Sequence, residues 1–450
     1  MRKMTEGNIA RHLLTYAIPL ILGNFFQLTY NAVDSIIIGK YAGEEALAAV
    51  GAANPVMTIM ILGVSGIGIG ASVLMSKFYG ADDIVNLKRE VSTTIVFGGI
   101  CSFVVFLVGM ALSGHILKLM NVPAEIMGIA NTYLRIIFIG FLFTFQYNVM
   151  SAALRSVGDS KTPVKFLAIA SVLNAGLDIL FIYGLHMGVV GAGLATVIAE
   201  GVSAILCFGY VYMKVPELQI KPSEFIIDKK LLRETIQSGS ITALQQSCQP
   251  IGKVFIQSVI NTQGISAIAA FNAVNRVDDF ACIPEQSISH GMMTCIAQNK
   301  GAGNEDRIRE TLRVGLMLEA CYWVLICMAT LLLKTSIMKL FASEKSAEMI
   351  TIGVQYLTIM AFFYLLPGFT NGMQGYFRGI GKMRVTLIGT LIQISIRVIV
   401  VFGLVPRIGL NGAAYACLIG WSCMLLYEGG YYVMLMKAEK ANKAVLQAEK

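Results

Sequence analysis

The sequence predicts an all-α membrane protein with twelve transmembrane helices in two parallel six-helix repeats. Three observations support this fold class. Hydrophobic residues make up 56% of the 450 positions and charged residues only 14%, whereas a soluble domain averages roughly 25% charged residues. Apolar runs of about 20 residues, long enough to cross a bilayer, recur along the whole chain. Two segments are also repeated at a spacing of 221 residues.

The repeated segments show an internal duplication. Gly43–Asn54 reads GEEALAAVGAAN, and Gly264–Asn275 reads GISAIAAFNAVN. The pair Gly80-Ala81 after the first copy matches Gly301-Ala302 after the second. A hydrophobic chain built from two copies of one unit is typical of transporters, in which two lobes move about a central site.

The elements follow in order from the apolar runs. Six runs precede a polar stretch and six follow it, so both halves have the same orientation and the repeats are parallel. The runs lie near residues 13–39, 46–76, 92–113, 127–152, 164–184, 191–213, 236–260, 266–297, 314–334, 350–375, 386–405 and 411–436. The predicted domains are an N-lobe at 1–213, a cytoplasmic linker at 214–235, a C-lobe at 236–437 and a cytoplasmic tail at 438–450.

The basic residues predict the orientation. Most of the 35 Lys and Arg residues fall in segments that are cytoplasmic if the N-terminus is, as the positive-inside rule requires. We therefore expect a multi-pass protein of the cell membrane with both termini in the cytoplasm. The net charge of +8 then reflects topology and not a nucleic-acid partner.

Four polar residues of the first half are predicted to share one layer of the membrane. Asp34 and Asp178 each lie about 8–9 Å below the outer end of their helices, and Thr196 lies at a similar depth. Asn174 is one helical turn deeper than Asp178. Ionisable groups inside a bilayer are candidates for function, and carboxylate, amide and hydroxyl oxygens suit a hard cation. We predict a site for Na⁺ or H⁺; the alternative is a structural polar contact between helices.

One face of the first helix continues this layer. Gln27, Tyr30 and Asn31 precede Asp34 by seven, four and three residues, which places them on its face of the helix. They are predicted to line a substrate cavity. Pro19 lies in the same run, where a proline bends a helix.

The second half lacks these acids, since the position that corresponds to Asp34 is Phe255. It carries a different set of charged residues, and the spacing of Arg276 and Asp279 suggests an ion pair. Two readings remain, a buried charge network that shapes a cavity wall and a direct contact with substrate. The predicted network consists of Lys253, Arg276, Asp279, Glu285 and Arg397.

No cofactor and no enzymatic activity are expected. The sequence contains no clustered His and Cys residues with metal-ligand spacing and no nucleophile motif. The expected partners are small amphipathic molecules and the lipid bilayer, without nucleic acid, and the protein is expected to be a monomer. The 23 methionines suit an adaptable apolar cavity.

In order along the whole chain, several motifs resemble the multidrug and toxic compound extrusion (MATE) transporters. The resemblance rests on Pro19 and the segment Tyr30–Asp34, on Ala46–Pro55, on Leu154–Asp159, on Asn174–Gly184 and on Gly191–Thr196. It implies two six-helix lobes that form a V-shaped central cavity. It also implies export of amphipathic, often cationic compounds in exchange for H⁺ or Na⁺.

The resemblance also implies roles for individual residues. Asp34, Asn174, Asp178 and Thr196 match the cation site of the family, and Pro19 matches the proline where the first helix bends. Gln245 and Gln246 stand where the NorM-like branch carries a carboxylate, so the chain is more similar to the DinF-like branch. The alternative is a flippase of lipid-linked oligosaccharides or other anionic lipid precursors, for which Lys253, Arg276 and Arg397 would supply positive charge.

Overall fold

The computed structural model describes residues 3–341 and 347–448, which are entirely helical apart from turns and short loops. Thirteen α-helices account for the described chain. They are α1 (Ile9–Ile37), α2 (Glu44–Gly80), α3 (Ile84–Leu119), α4 (Ala124–Ser156), α5 (Lys161–Asp178), α6 (Gly188–Lys214), α7 (Lys229–Ile260), α8 (Ile265–Gly301), α9 (Glu305–Phe341), α10 (Ala347–Phe363), α11 (Leu365–Gly379), α12 (Met383–Ile408) and α13 (Asn411–Ala448).

The predicted spans correspond to these helices in order. One span is broken: α10 and α11 meet at a bend of 42°, and Pro367 lies in the first turn of α11. Within the described residues, eight helices are by themselves long and apolar enough to cross a membrane, or nine with this bent pair. The other long helices, α7, α8 and α13, carry more polar residues, so their composition alone identifies them less clearly as membrane spans.

The backbone repeats as the sequence does. Each of the long helices α2 and α8 has 37 residues and follows a glycine in the left-handed region, Gly43 at φ 94° and Gly264 at φ 90°. Left-handed backbone recurs at three further matching turns, which pair Asp82 with Gly303, Gly158 with Gly381, and Gly188 with Gly409. The duplication therefore extends from the helices to the conformation of the turns that join them.

Two helix ends break this symmetry. In the first repeat, α1 continues into a π-helical turn at Ile38–Ala42, and α5 continues into another at Ile179–Gly184. In the second repeat, α7 is followed by a 3₁₀ turn at Asn261–Gln263, and α12 runs unbroken to Ile408. Since π-helical turns are rare and occur often at functional sites, the first repeat is where the local structure departs from regularity.

The chain divides into two compact units. The first consists mainly of Thr15–Ala243, with the segment Ala297–Glu305; the second consists mainly of Leu244–Ile296 and the chain from Asp306 onward, with Asn8–Leu14. Each unit has its own apolar core. Ile38 and Ile182, from the two π-helical turns, are almost fully buried in a core of the first unit.

The segment before α7 is held to the first unit by side chains of α3. Ser92 Oγ lies 3.0 Å from the carbonyl oxygens of both Glu224 and Ile226 and accepts a hydrogen bond from the Ile226 amide at 2.8 Å. Thr93 Oγ1 accepts from the Asp228 amide at 3.0 Å. The predicted cytoplasmic linker is thus an ordered segment whose backbone groups pair with α3.

Candidate cation site in the first repeat

The site begins where α1 and α5 end. Asp34 lies four residues before the π-helical turn of α1, and Asp178 is the last residue of α5 before the turn that follows it. The rings of Tyr41 and Tyr183, one from each turn, lie 5.1 Å apart. This contact between the two turns brings the carboxylate-bearing ends of α1 and α5 together.

Asn174 connects three of the surrounding helices. Its amide is assigned the orientation that suits its neighbours, since the opposite orientation turns its oxygen toward acceptors alone. It then donates to Asp178 Oδ2 at 2.9 Å and to Tyr30 Oη at 3.2 Å, and it accepts from the Thr196 amide N–H at 3.0 Å. Asn174 and Asp178 are 1% and 0% exposed, so this one side chain satisfies polar groups from α1, α5 and α6 out of contact with water.

The two carboxyl groups form an incompletely satisfied pair. The Asp34 and Asp178 carboxyl groups lie close enough to act on each other, and a hydrogen bond between two carboxyl groups forms only when one of them holds a proton. Among the described residues, no donor reaches Asp34 Oδ1 or Asp178 Oδ1. Buried carboxylates without donors or a counter-charge are costly, so the pair favours a bound proton or a small cation.

Two groups outside the four residues predicted for the cation site extend it. Tyr133 on α4 is 3% exposed, and the charges of Asp34, Asp178 and Glu200 act on its hydroxyl. Glu200 on α6 accepts a hydrogen bond from Thr144 Oγ1 at 2.5 Å. Glu200 follows Thr196 by four residues, a spacing that puts both on one helix face. The sequence therefore held a signal for Glu200, whereas nothing in it distinguished Tyr133 from other tyrosines.

The remaining residues predicted for the first repeat are divided between the site and the surface. Tyr30 belongs to the site, whereas Gln27 and Asn31 are exposed. Pro19 is buried inside α1. A Cβ at Gly23 would lie 2.9 Å from Val164, so α1 and α5 pack closely between the proline and the site.

The charged residues of the second repeat do not form the single network that was predicted. Asp279 pairs with Lys253 at 3.4 Å and not with Arg276, so the predicted pair was wrong. The reason is geometric, since α7 brings the lysine alongside an aspartate that is about half exposed, as is Lys253. Arg276 is also exposed, whereas Glu285 is only 1% exposed.

A second group of charges lies deeper in that unit. Asp278 accepts a hydrogen bond from Tyr364 Oη at 2.5 Å, and the charge of Arg397 acts on it. Phe255, the counterpart of Asp34, is 52% exposed. The second repeat therefore offers no copy of the Asp34–Asp178 arrangement at the equivalent positions.

Comparison with known proteins agrees with this architecture. The MatE family model matches residues 19–180 and 242–402, one match in each repeat. The probable multidrug resistance protein YpnP of Bacillus subtilis is 31% identical over 391 residues, which cover 86% of each chain. A second protein of that organism, the probable multidrug resistance protein YoeA, is 26% identical and aligns over 99% of this chain and 98% of its own.

Solved structures share the fold. A crystal structure of MATE in complex with MaL6 superposes with a TM-score of 0.89 at 23% identity and covers 98% of this chain and 99% of that one. A MOP superfamily transporter from Pyrococcus furiosus superposes with a TM-score of 0.88 at 23% identity, over 97% and 98% of the two chains.

Proposed function

Because the chain belongs to the MatE family of membrane transporters, we propose that it exports amphipathic, often cationic organic compounds in exchange for H⁺ or Na⁺. The observation that carries the proposal is the pairing of the half-buried Asp34 with the buried Asp178, each with one buried oxygen that no described donor reaches. Such a pair binds a positive charge in the membrane and releases it when the surroundings change. The family performs transport and no enzymatic reaction.

The relatives support drug export over lipid flipping. YpnP, YoeA and the NorM protein of Thermotoga maritima are each described as probable multidrug resistance proteins. The flippase alternative rested on Lys253, Arg276 and Arg397 as a site for an anionic headgroup. In the second unit Lys253 is paired with Asp279, which leaves this set less suited to an anion.

The proposed mechanism is competition between the cation and the substrate. Asp34 is the coupling carboxylate, and Asp178, Asn174 and Thr196 complete its site. Binding of the cation or proton at Asp34 changes the position of the C-terminal end of α1. The helix bends at Pro19, because the proline removes a backbone hydrogen bond there. Pro19 is about 22 Å from Asp34 along the helix axis, so a small change in bend at the proline moves the carboxylate and disfavours bound substrate.

Tyr30 is proposed to connect the two ligands. Its hydroxyl lies 3.2 Å from the Asn174 amide, and its ring belongs to the helix face that also carries Gln27 and Asn31. The Tyr30 hydroxyl thus contacts the cation site, and its ring lies on the proposed cavity face of α1. Gln27 and Asn31 are proposed as substrate contacts.

Coupling through the first repeat is proposed to follow the DinF-like branch. Gln245 of α7 is 3% exposed and accepts hydrogen bonds from Arg378 at 3.1 Å and from Thr386 at 3.0 Å. A neutral amide that is satisfied in this way has no need of a cation. The protein is further proposed to act as a monomer in the cell membrane, with both termini in the cytoplasm.

The decisive experiment is transport in proteoliposomes with the Na⁺ and pH gradients imposed separately. A fluorescent organic cation serves as substrate, and its export is followed for the wild type and for Asp34→Asn. Export by the wild type should depend on one of the two gradients, and Asp34→Asn should lose it while still inserting into the membrane.

The matched control is Asp82→Asn, an exposed loop aspartate at φ 56°, where asparagine is also tolerated. This variant should transport at the wild-type rate. Full export by Asp34→Asn would exclude Asp34 as the coupling carboxylate, and export that ignores both gradients would exclude antiport.

A further inference from the structure

Two buried acids of the second unit have no part in the proposed mechanism. Glu285 on α8 and Glu319 on α9 are each 1% exposed. Glu285 was predicted as a member of a charge network, whereas Glu319 is a single acid in an apolar run of α9. Acids so deep in a membrane-spanning helix are costly and mark functional positions.

Both carboxyl groups face the same small space. It lies beside Gly368 on α11, just after the bend between α10 and α11. A Cβ at position 368 would lie 3.4 Å from Glu319 Oε2 and 3.8 Å from Glu285 Cδ, with no closer clash. The glycine therefore leaves room for about one methyl-sized group between α8, α9 and α11.

The donors in the described structure do not satisfy this pair. The Asn371 amide lies 3.5 Å from Glu285 Oε2, at the limit for a hydrogen bond. Glu285 Oε1 and both oxygens of Glu319 are reached by no donor of the described residues. The nearby Tyr322 hydroxyl donates instead to the Ala281 carbonyl at 2.9 Å, so its hydrogen is not available to either glutamate.

Two other acids of this unit, the partly buried Asp278 and the buried Glu428, have a positive charge acting on them. Asp278 is influenced by Arg397 and Lys253 as well as by its bond from Tyr364, and Glu428 is influenced by Arg378. The charged group that acts on Glu319 is Glu285, and the one that acts on Glu285 is Asp278. Among the described residues, the charges that act on the Glu285–Glu319 pair are thus negative.

We propose that Glu285 and Glu319 bind a monovalent cation, H⁺ or Na⁺, in the space beside Gly368, as a second site independent of Asp34. Carboxylate and amide oxygens are the hard donors that such cations take, and one positive charge relieves the repulsion between two carboxylates. The titratable groups that face the pair are Asp278 and Cys282 on α8 and Tyr322 on α9.

The test uses the full-length purified protein with the first site removed by Asp34→Asn and Asp178→Asn. Equilibrium binding of radioactive Na⁺ is measured in choline buffer, and infrared difference spectra record the protonated-carboxyl band after a pH jump. This background should still bind a single Na⁺ per chain or still show a pH-dependent carboxyl band. Adding Glu319→Gln should abolish the Na⁺ binding, or remove from the carboxyl band the part that belongs to the pair and leave the part from other acids.

Two further variants make the assignment specific. Gly368→Ala places a methyl group in the proposed space at ordinary contact distances; it should weaken Na⁺ binding by at least about tenfold and leave protonation unchanged, which separates the two cations. Glu428→Gln, the matched control at a buried acid on which the charge of Arg378 acts, should leave Na⁺ binding and the pair's part of the carboxyl band intact. Glu285→Gln provides a second variant if Glu319→Gln is not monodisperse.

The proposal is overturned if the background binds no Na⁺ and shows no pH-dependent carboxyl band. It is equally overturned if Na⁺ binding persists, or the carboxyl band is unchanged, in the monodisperse Glu285→Gln or Glu319→Gln variant. Since the first site is absent throughout, neither result depends on the role of Asp34 in transport.

Discussion

Gly80 and Gly301, the glycines related by the repeat, make the sharpest stability prediction because each leaves no room for a side chain. A Cβ at Gly80 would lie 1.9 Å from the Gln298 carbonyl oxygen and 2.5 Å from its carbon. A Cβ at Gly301 would lie 1.9 Å from the Lys77 carbonyl oxygen. The ends of α2 and α8 therefore meet backbone against backbone, with a glycine on each side.

The Gln298 backbone cannot easily move away from an alanine at position 80. Its side chain accepts from the Met4 amide at 2.8 Å and donates to the Ser156 carbonyl at 2.7 Å. An overlap with fixed backbone costs about 1–3 kcal/mol or more, whereas Gly→Ala in a helix gains at most about 1 kcal/mol. Since both contacts at position 80 are backbone atoms, we expect the upper end of that cost, and Gly80→Ala should lower the free energy of unfolding by about 2 kcal/mol.

The assay heats the purified protein in detergent and measures, by size-exclusion chromatography, the fraction that remains folded at each temperature. Gly63→Ala is the matched control on the same helix, because no described atom lies within 4 Å of a Cβ there. Gly80→Ala should unfold at a clearly lower temperature than the wild type, and Gly63→Ala at the same temperature or higher. A Gly80→Ala protein as stable as the control would show that α2 and α8 do not pack in this way.

Two further predictions concern the hydrogen bonds of the first unit. Asn174→Ala removes the donor to the buried Asp178 carboxyl, worth about 1.5–3 kcal/mol, so export efficiency in proteoliposomes should fall about 10- to 100-fold. Asn86→Ala, which loses only a side-chain hydrogen bond to the helix-capping Asp83, should leave it unchanged; equal losses in both variants would contradict a specific role. Ser92→Ala removes the side chain that holds the Ile226 backbone, so limited trypsin digestion should cleave the linker faster than in the wild type, and an unchanged cleavage rate would argue against this role.

Helical periodicity was enough to predict part of the candidate site. Asn174 and Asp178 are four residues apart, and the structure places them side by side and beside Thr196. Their role as a cation site remains a prediction. Tyr133 could not be found in this way, because its place depends on how α4 packs against the other helices and not on the spacing of polar residues in its own run.

Two other features show where reasoning from sequence stops. The i,i+3 spacing of Arg276 and Asp279 suggested a pair, yet Lys253 from another helix is the partner of Asp279. A spacing rule predicts contacts within one helix only. An exposed ion pair also contributes little energy, so it favours one partner only weakly over another. The π-helical turns after α1 and α5 were not predicted from the sequence, and each places an isoleucine, Ile38 or Ile182, in the core.

The duplication gives the strongest argument that the buried acids are placed for binding and not for folding. Both repeats form equivalent helices and matching left-handed turns, so the fold itself is achieved with either set of side chains. At the fixed spacing of 221 residues, Asp34 corresponds to Phe255, Glu285 to Val64 and Glu319 to Gly98. At the position equivalent to each acid, the other repeat thus has an apolar residue or a glycine. A buried carboxyl group that the fold does not need, and that lacks a complete set of donors, lowers stability. The most economical reason to retain it is a ligand that supplies the missing positive charge.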